Sequence, residues 1–434
     1  MNILVIFVRW TVHFACCAAF AILPATGFSQ SPVGAIPDGT QGEQLEALKG
    51  DSLEVRPKDK RWRLFPGKFS SFKIGGGFLY EYAGYQQDKI AKQQMDSIGQ
   101  KLEPAFSVRD FRITMSGQFR TKRIISWKAG FMYDDANRQW LVRETGLMVD
   151  VPELWGKFFI GRTKEGFSMN KVMVGYAGWT LERQMALDVI PILADGIKWL
   201  GYLPKQRIFW NIGAFADWLS HGQSFSTFKS QFDVRVGFLP LYKDGEVLHL
   251  GISYRHGVPV NDQIQVRSRP EVDPSFHFID TGKFPSIYSN HIGGEAYYNS
   301  GPLMLGSEIY WHKFTSTQAN DPVFFGGDIV ASYILTGESR PYYTSTSIFG
   351  FVPVKRPVFA GGPGAWELLV RYSSLDLNGG TLQGGKFWRI TPMVNWYLSK
   401  DVRLELAYGY GVLDRFGLQG ATQFFQTRLQ FTWL

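Results

Sequence analysis

Arg112, Arg120, Lys128, Arg235, Arg255, Arg371, Arg389, Arg403 and Arg428 each alternate with apolar neighbours, so they fall on one predicted polar face of extended segments. Cations fixed on a water-facing wall suit anion selection. They replace part of a solute's hydration, and the planar guanidinium fork matches phosphate-like oxygens. The residues singled out for anion binding lie nearest an irregular segment: Arg112, Arg162, Lys164 and Arg183. Arg120, Lys128, Arg235 and Arg371 form a second tier of pore-lining candidates. Asp233, Glu295, Glu308, Glu367 and Glu405 share the same face, so most of the arginines are expected to brace the wall, Arg371 with Glu367 among them. Arg120, Lys122 and Arg123 also cluster at a predicted turn, where their partner is lipid phosphate or bulk water.

Other chemistry finds no constellation. His249, His291 and His312 are placed on the polar face, but no nucleophile motif and no His-x-x-x-His spacing accompanies them. Gly75-Gly76-Gly77 has no helix or lysine after it at phosphate-loop spacing and reads as a strand kept free of bulk. Both cysteines, Cys16 and Cys17, sit in the N-terminal leader, which excludes a disulfide or thiolate metal site from the remainder. We therefore expect no enzyme, no metal and no cofactor.

The elements that would position the cations are strands. Phe111, Ile113, Met115 and Phe119 alternate with Arg112, Thr114, Ser116 and Arg120, and Phe232, Val234, Val236 and Phe238 alternate with Gln231, Asp233, Arg235 and Gly237. Further alternating segments run from Phe72 to Tyr82, Ile125 to Tyr133, Leu248 to Tyr254, Leu303 to Trp311, Trp366 to Tyr372, Trp388 to Leu398, Val402 to Tyr410 and Phe425 to Trp433. Several begin or end on Trp or Tyr, the rings that favour a membrane interface. Hydrophobic residues make up 45% and aromatic residues 16% of the chain, yet no later segment has the ~18 consecutive apolar residues of a membrane helix. The combination predicts an all-β, closed antiparallel transmembrane barrel of sixteen strands, an even number.

Around it, residues 1–29 read as a signal peptide cleaved after Ser29, residues 30–64 as a mobile periplasmic arm, and residues 65–434 as the barrel. Loss of Arg9 with the leader takes the formal net charge from +8 to +7, a basic excess suited to anionic solutes or anionic lipid in an exported protein with no nucleic acid to meet. Tight turns are expected at Asn299–Pro302 and Ser399–Asp401, and long loops at Arg255–Ser289, Gly337–Gly364 and Ser373–Lys386. Lys171–Thr180 or Tyr342–Phe351 would supply a further strand. Between Lys164 and Lys205 the alternation breaks, in a stretch too apolar for a solvated loop. It is expected to fold into the lumen as a constriction or to meet a second protomer. Two functions follow: passive diffusion of small hydrophilic solutes with an anion preference, or a plugged barrel acting as a structural or binding platform.

Ser332 to Arg340, Pro353 to Pro357, Gly364 to Asn378 and Asn395 to Leu398, in that order, resemble the phosphate-selective porin O and P family. Looser likeness extends upstream to Arg109–Arg112, Ile160–Ser168 and Leu181–Arg183, so the resemblance covers about Phe65 to Leu434. It implies a sixteen-stranded outer-membrane barrel, usually a homotrimer, whose eyelet binds small anions through lysines and arginines. Asp110 and Gly166 stand where the family pattern leads us to expect Arg and Pro.

Overall fold

The computed structural model describes residues 64–134, 138–218 and 228–433; the leader and nearly all of the predicted arm lie outside them. Sixteen antiparallel wall strands follow one another around a closed sheet: Ser71–Gln87, Ala105–Gln118, Ile125–Asp134, the interrupted pair Gln139–Val142 and Thr145–Val151, Gly156–Thr163, Ala194–Leu203, Ile208–Ala216, Phe228–Lys243, Glu246–Pro259, Tyr288–Ser300, Leu303–Thr315, Val323–Ile334, Ala365–Gly379, Leu382–Tyr397, Val402–Arg415 and Leu418–Thr432. The first strand pairs with the last, Gly77 opposite Thr432, which closes the barrel. Closure leaves the wall with no open edge, the condition for crossing lipid with strands.

The period-2 pattern lands as its chemistry requires. Gln231, Asp233 and Arg235 are buried inside, while Phe232 (45% exposed) and Phe238 face outward. Neighbouring strands repeat this, with Leu250, Ile252 and Tyr254 outward and His249, Ser253 and Arg255 inward. The outer apolar side chains have lipid as their solvent.

At one end the turns are short, spanning 119–124, 152–155, 204–207, 244–245, 301–302 and 398–401. Gly301 adopts a positive φ of 53°, which a two-residue turn accepts readily from glycine. Short turns mark the periplasmic end of such barrels. Longer connections leave the opposite end, including 88–104, 164–193 and 260–287.

Several expectations need correction. The irregular segment ends at residue 193, because Ala194–Leu203 is a wall strand. Neither Lys171–Thr180 nor Tyr342–Phe351 joins the wall: the former holds a short helix and a 3-10 turn, the latter a hairpin pairing Tyr342 with Phe349. Ser373–Lys386 is two strands joined at residues 380–381 rather than a loop. The long connection after Ile334 does exist, but it enters the lumen from the periplasmic end. Its Phe349 packs against Trp179 of the 164–193 loop, at 6.3 Å between ring centroids, and its Ser347 carbonyl accepts from Arg235 at 2.9 Å. A third infolding, the hairpin Gln263–Ser268 with Ile279–Pro285, buries Ile264, Val266 and Phe278.

Candidate functional site

The 164–193 loop is moored along the inner wall by two kinds of contact. Its first part offers backbone N–H groups to lumen carboxylates: Gly166 to Asp233 at 2.7 Å, Met169 to Glu295 at 2.7 Å and Asn170 to Glu308 at 2.9 Å. Its second part offers carbonyls to amides and guanidinium groups. Gln430 donates to Tyr176 at 3.1 Å, Arg403 to Gly178 at 2.6 Å, Asn395 to Trp179 at 2.8 Å and Arg371 to Glu182 at 2.8 Å, while Arg428 donates to Leu181. Charge-assisted bonds of this kind fix a loop that has no ladder of its own. They also commit the arginines that make them.

The loop therefore leaves open only the opposite side of the lumen. Two cavities occupy it, one of about 690 Å³ on the external side and one of about 500 Å³ toward the periplasm. Arg112, Arg143, Lys164 and Val174 line both, so the two cavities adjoin at these side chains. Arg112 is oriented from two directions: it pairs with Asp110 and lies 5.1 Å from the centre of the Tyr176 ring. Tyr176 in turn donates to Asp110 at 3.0 Å, so the loop and the wall set one guanidinium together. The Arg112 Nε is buried and has no hydrogen-bond partner among the described residues. Lys164 donates to the Met173 carbonyl, and burial pushes its amine well below the usual lysine range, an effect that the Glu144 carboxylate opposes.

The two sides differ in charge. The periplasmic cavity is lined by Lys73, Arg112, Lys128, Arg143, Lys164 and Lys198 against one carboxylate, Glu144. Lys128 lies 3.5 Å from Glu144, and both Lys128 and Lys198 sit over the Phe159 ring. The external cavity is mixed, with Arg109, Arg183 and Arg269 set among Asp110, Glu182, Asp188 and Asp273. There Arg109 holds Glu182 at 2.8 Å. Although burial works against it, Arg109 with Arg428 keeps that carboxyl well below the usual range.

The predicted residues separate accordingly. Arg112 and Lys164 stand at the junction, Arg183 lines the external cavity while donating to the Asn170 carbonyl at 2.9 Å, and Lys128 lines the inner one. Arg162 lines neither. It shares the parity of Ile160, which faces outward, and is buried against Asp195 at 3.0 Å and the Val142 carbonyl. Arg235 and Arg371 face the lumen but are committed to Glu295 at 2.8 Å and Glu271 at 2.5 Å. Glu367 thus pairs not with Arg371 but with Arg340 of the periplasmic infolding, at 2.7 Å. Arg120 is exposed at the 119–124 turn, beyond the lumen.

Arg143, Lys198 and Lys73 complete the basic lining and were missed. Arg143 and Glu144 occupy an irregularity where the register steps from Phe131 opposite Val142 to Lys128 opposite Gly146, so simple alternation passes over them. Lys198 lies on the strand taken for irregular chain. Lys73 did carry a signal, since it alternates with Phe72 and Ile74.

Residues 72–433 match the family described as phosphate-selective porin O and P. A Caulobacter vibrioides protein described as uncharacterized is 36% identical over 179 residues, 40% of this chain and 35% of that protein. Porin O of Pseudomonas aeruginosa is 24% identical over 221 residues, 43% of this chain and 48% of that protein. The chain thus spans half or less of the length of these relatives. Among solved structures, the anion-selective porin from Comamonas acidovorans superposes with a TM-score of 0.53 at 12% identity, over 84% of this chain and all of that one, which establishes the barrel fold. With a closed sixteen-stranded barrel, an infolded loop and a match over nearly all of the described residues, the chain belongs to the phosphate-selective porin O and P family of the bacterial outer membrane.

Proposed function

We propose that this porin passes small hydrophilic solutes by passive diffusion and prefers anions, phosphate-like oxyanions among them. The observation that carries the reading is that Arg112, Arg143 and Lys164 stand where the two cavities adjoin, at the mouth of one lined by six basic side chains and one carboxylate; we read this junction as the eyelet. A cluster of that sign concentrates anions and repels cations, and Arg112 lines both cavities where they meet. The Comamonas relative's description as anion-selective and the family's description point the same way. Single-channel recording in planar bilayers under a KCl gradient tests it. The expected outcome is open-channel current, a reversal potential on the chloride side, and block of chloride current by added phosphate. A reversal potential on the potassium side would overturn the anion preference.

A plugged barrel acting as a platform is the second reading, supported by three infolded segments that fill much of the lumen. Absence of current from correctly folded protein would favour it. The homotrimer implied by the resemblance is proposed on the same footing, and the mass of the detergent-extracted, unheated assembly tests it.

A further inference from the structure

The basic cluster at Arg120, Lys122 and Arg123 lies outside the lumen, so permeation does not account for it. It belongs to a ledge of periplasmic turns stitched to one another. Arg120 donates its backbone N–H to Phe69 at 2.9 Å, and Ser70 bridges Phe119. Arg123 reaches the Asp150 carbonyl at 3.0 Å and grips Glu153 through both guanidinium nitrogens. The Trp155 carbonyl accepts from Tyr202 at 3.1 Å, near the end of the strand that runs into the next turn, 204–207.

Across the turns 67–70, 119–124, 152–155 and 204–207 the sequence places six basic residues and one acid, Glu153, which Arg123 already neutralises. Lys68, Arg120, Lys122 and Lys205 have no carboxylate within ion-pair distance among the described residues. Large apolar side chains in the same turns are exposed among the described residues: Phe69 is 77% exposed and Trp155 57%, and Leu154 and Phe119 are also exposed. Exposed rings beside unpaired cations at the end of a lipid-facing wall match a phospholipid on both its parts. The ring or alkyl group lies at the acyl boundary, and the ammonium or guanidinium meets the phosphate.

We propose that this ledge is a binding site for an anionic phospholipid of the periplasmic leaflet, with Arg120, Lys122 and Lys205 on the headgroup and Phe69 and Trp155 against the chains. Free phosphate in the periplasm shares the headgroup chemistry but gives the exposed rings nothing to cover, so the lipid is the occupant the surface fits. The site is independent of the pore, because none of these side chains lines either cavity.

Native mass spectrometry of the full-length protein, released from detergent with phosphatidylglycerol or phosphatidylcholine added at equal concentration, tests the proposal. The wild type should retain phosphatidylglycerol severalfold over phosphatidylcholine, and millimolar inorganic phosphate should not displace it. Arg120→Glu with Lys122→Glu and Lys205→Glu should abolish the preference. Phe69→Ala with Trp155→Ala should weaken retention of both lipids. Single-channel conductance should be unchanged in all variants, which also reports that they fold. Equal retention of the two lipids by the wild type, or an undiminished preference in the triple variant, would overturn the assignment, as would displacement by phosphate alone. A triple variant that keeps the preference but falls to a smaller oligomer would assign the ledge to a second copy of the chain instead.

Discussion

The Asp233 carboxylate accepts the backbone N–H of Gly166 at 2.7 Å, a hydrogen bond that ties the start of the infolded loop to the inner wall. Gly166 is one of the two positions where the family pattern leads to a different residue. The proline expected there has no N–H to give. A Cβ at this position would stand 2.6 Å from the Asn211 carbonyl, so the close approach requires glycine. Gly166→Ala should shift the loop and raise single-channel conductance. Asp233→Ala, which leaves a buried donor unpaired, should cost about 1–3 kcal/mol in urea unfolding. Unchanged conductance in Gly166→Ala would show that this contact does not set the loop's position.

Arg112 and Arg162 make a contrast in selectivity and stability. In a watery lumen one charge at ~4 Å is worth about 1 kcal/mol, or about fivefold in a permeability ratio. Arg112→Ala and Lys164→Ala should each lower the chloride-to-potassium ratio by about that factor, read from reversal potentials. Arg162→Ala should leave the ratio alone and destabilise the fold by about 3–5 kcal/mol, because the buried Asp195 carboxylate loses the guanidinium that balances its charge.

Asp188 of the infolded loop lines the external cavity and donates nothing to an anion once ionised. Burial pushes its carboxyl up to about 7, against the lowering effect of the Ser268 hydrogen bond. A raised acid pKa leaves the group neutral below that pH and negative above it. Anion preference should therefore fall as pH rises from 6 to 8, and Asp188→Asn should remove that step. His277 of the same cavity, lowered to about 4 chiefly by burial, stays neutral across this window. A further loss of preference, at a pH below the ordinary lysine range, should come from Lys164, whose burial makes it lose its proton early. Lys164→Arg should suppress that second step.

Thr346 and Ile348 of the periplasmic infolding line the inner cavity, and Ser347 is held by Arg235 at 2.9 Å. Deleting residues 342–349 should raise conductance while the wall stays closed, as judged by heat-modifiable gel mobility. An unchanged conductance would place the resistance wholly at the eyelet.

The barrel was legible in the chain because a wall between lipid and water demands alternation residue by residue, and Phe232 outward with Asp233 inward is local information. The infolded loop was legible too, since a stretch as apolar as Val189 to Leu193 has to be covered. Alternation also nominated the lumen arginines, but it is blind to irregularities, which hid Arg143. It is equally blind to what stands across the lumen. Arg371, Arg403 and Arg428 share the inner face with Arg112, yet the loop's carbonyls bind the first three, whereas Arg112 lines both cavities where they meet. The sequence by itself thus determined the wall and its faces and nominated cations for the lumen. Only the tertiary structure decided which cations remain for a solute. That choice depends on contacts between residues hundreds of positions apart, such as Arg428 with Leu181, and on the side of the barrel against which the loop lies.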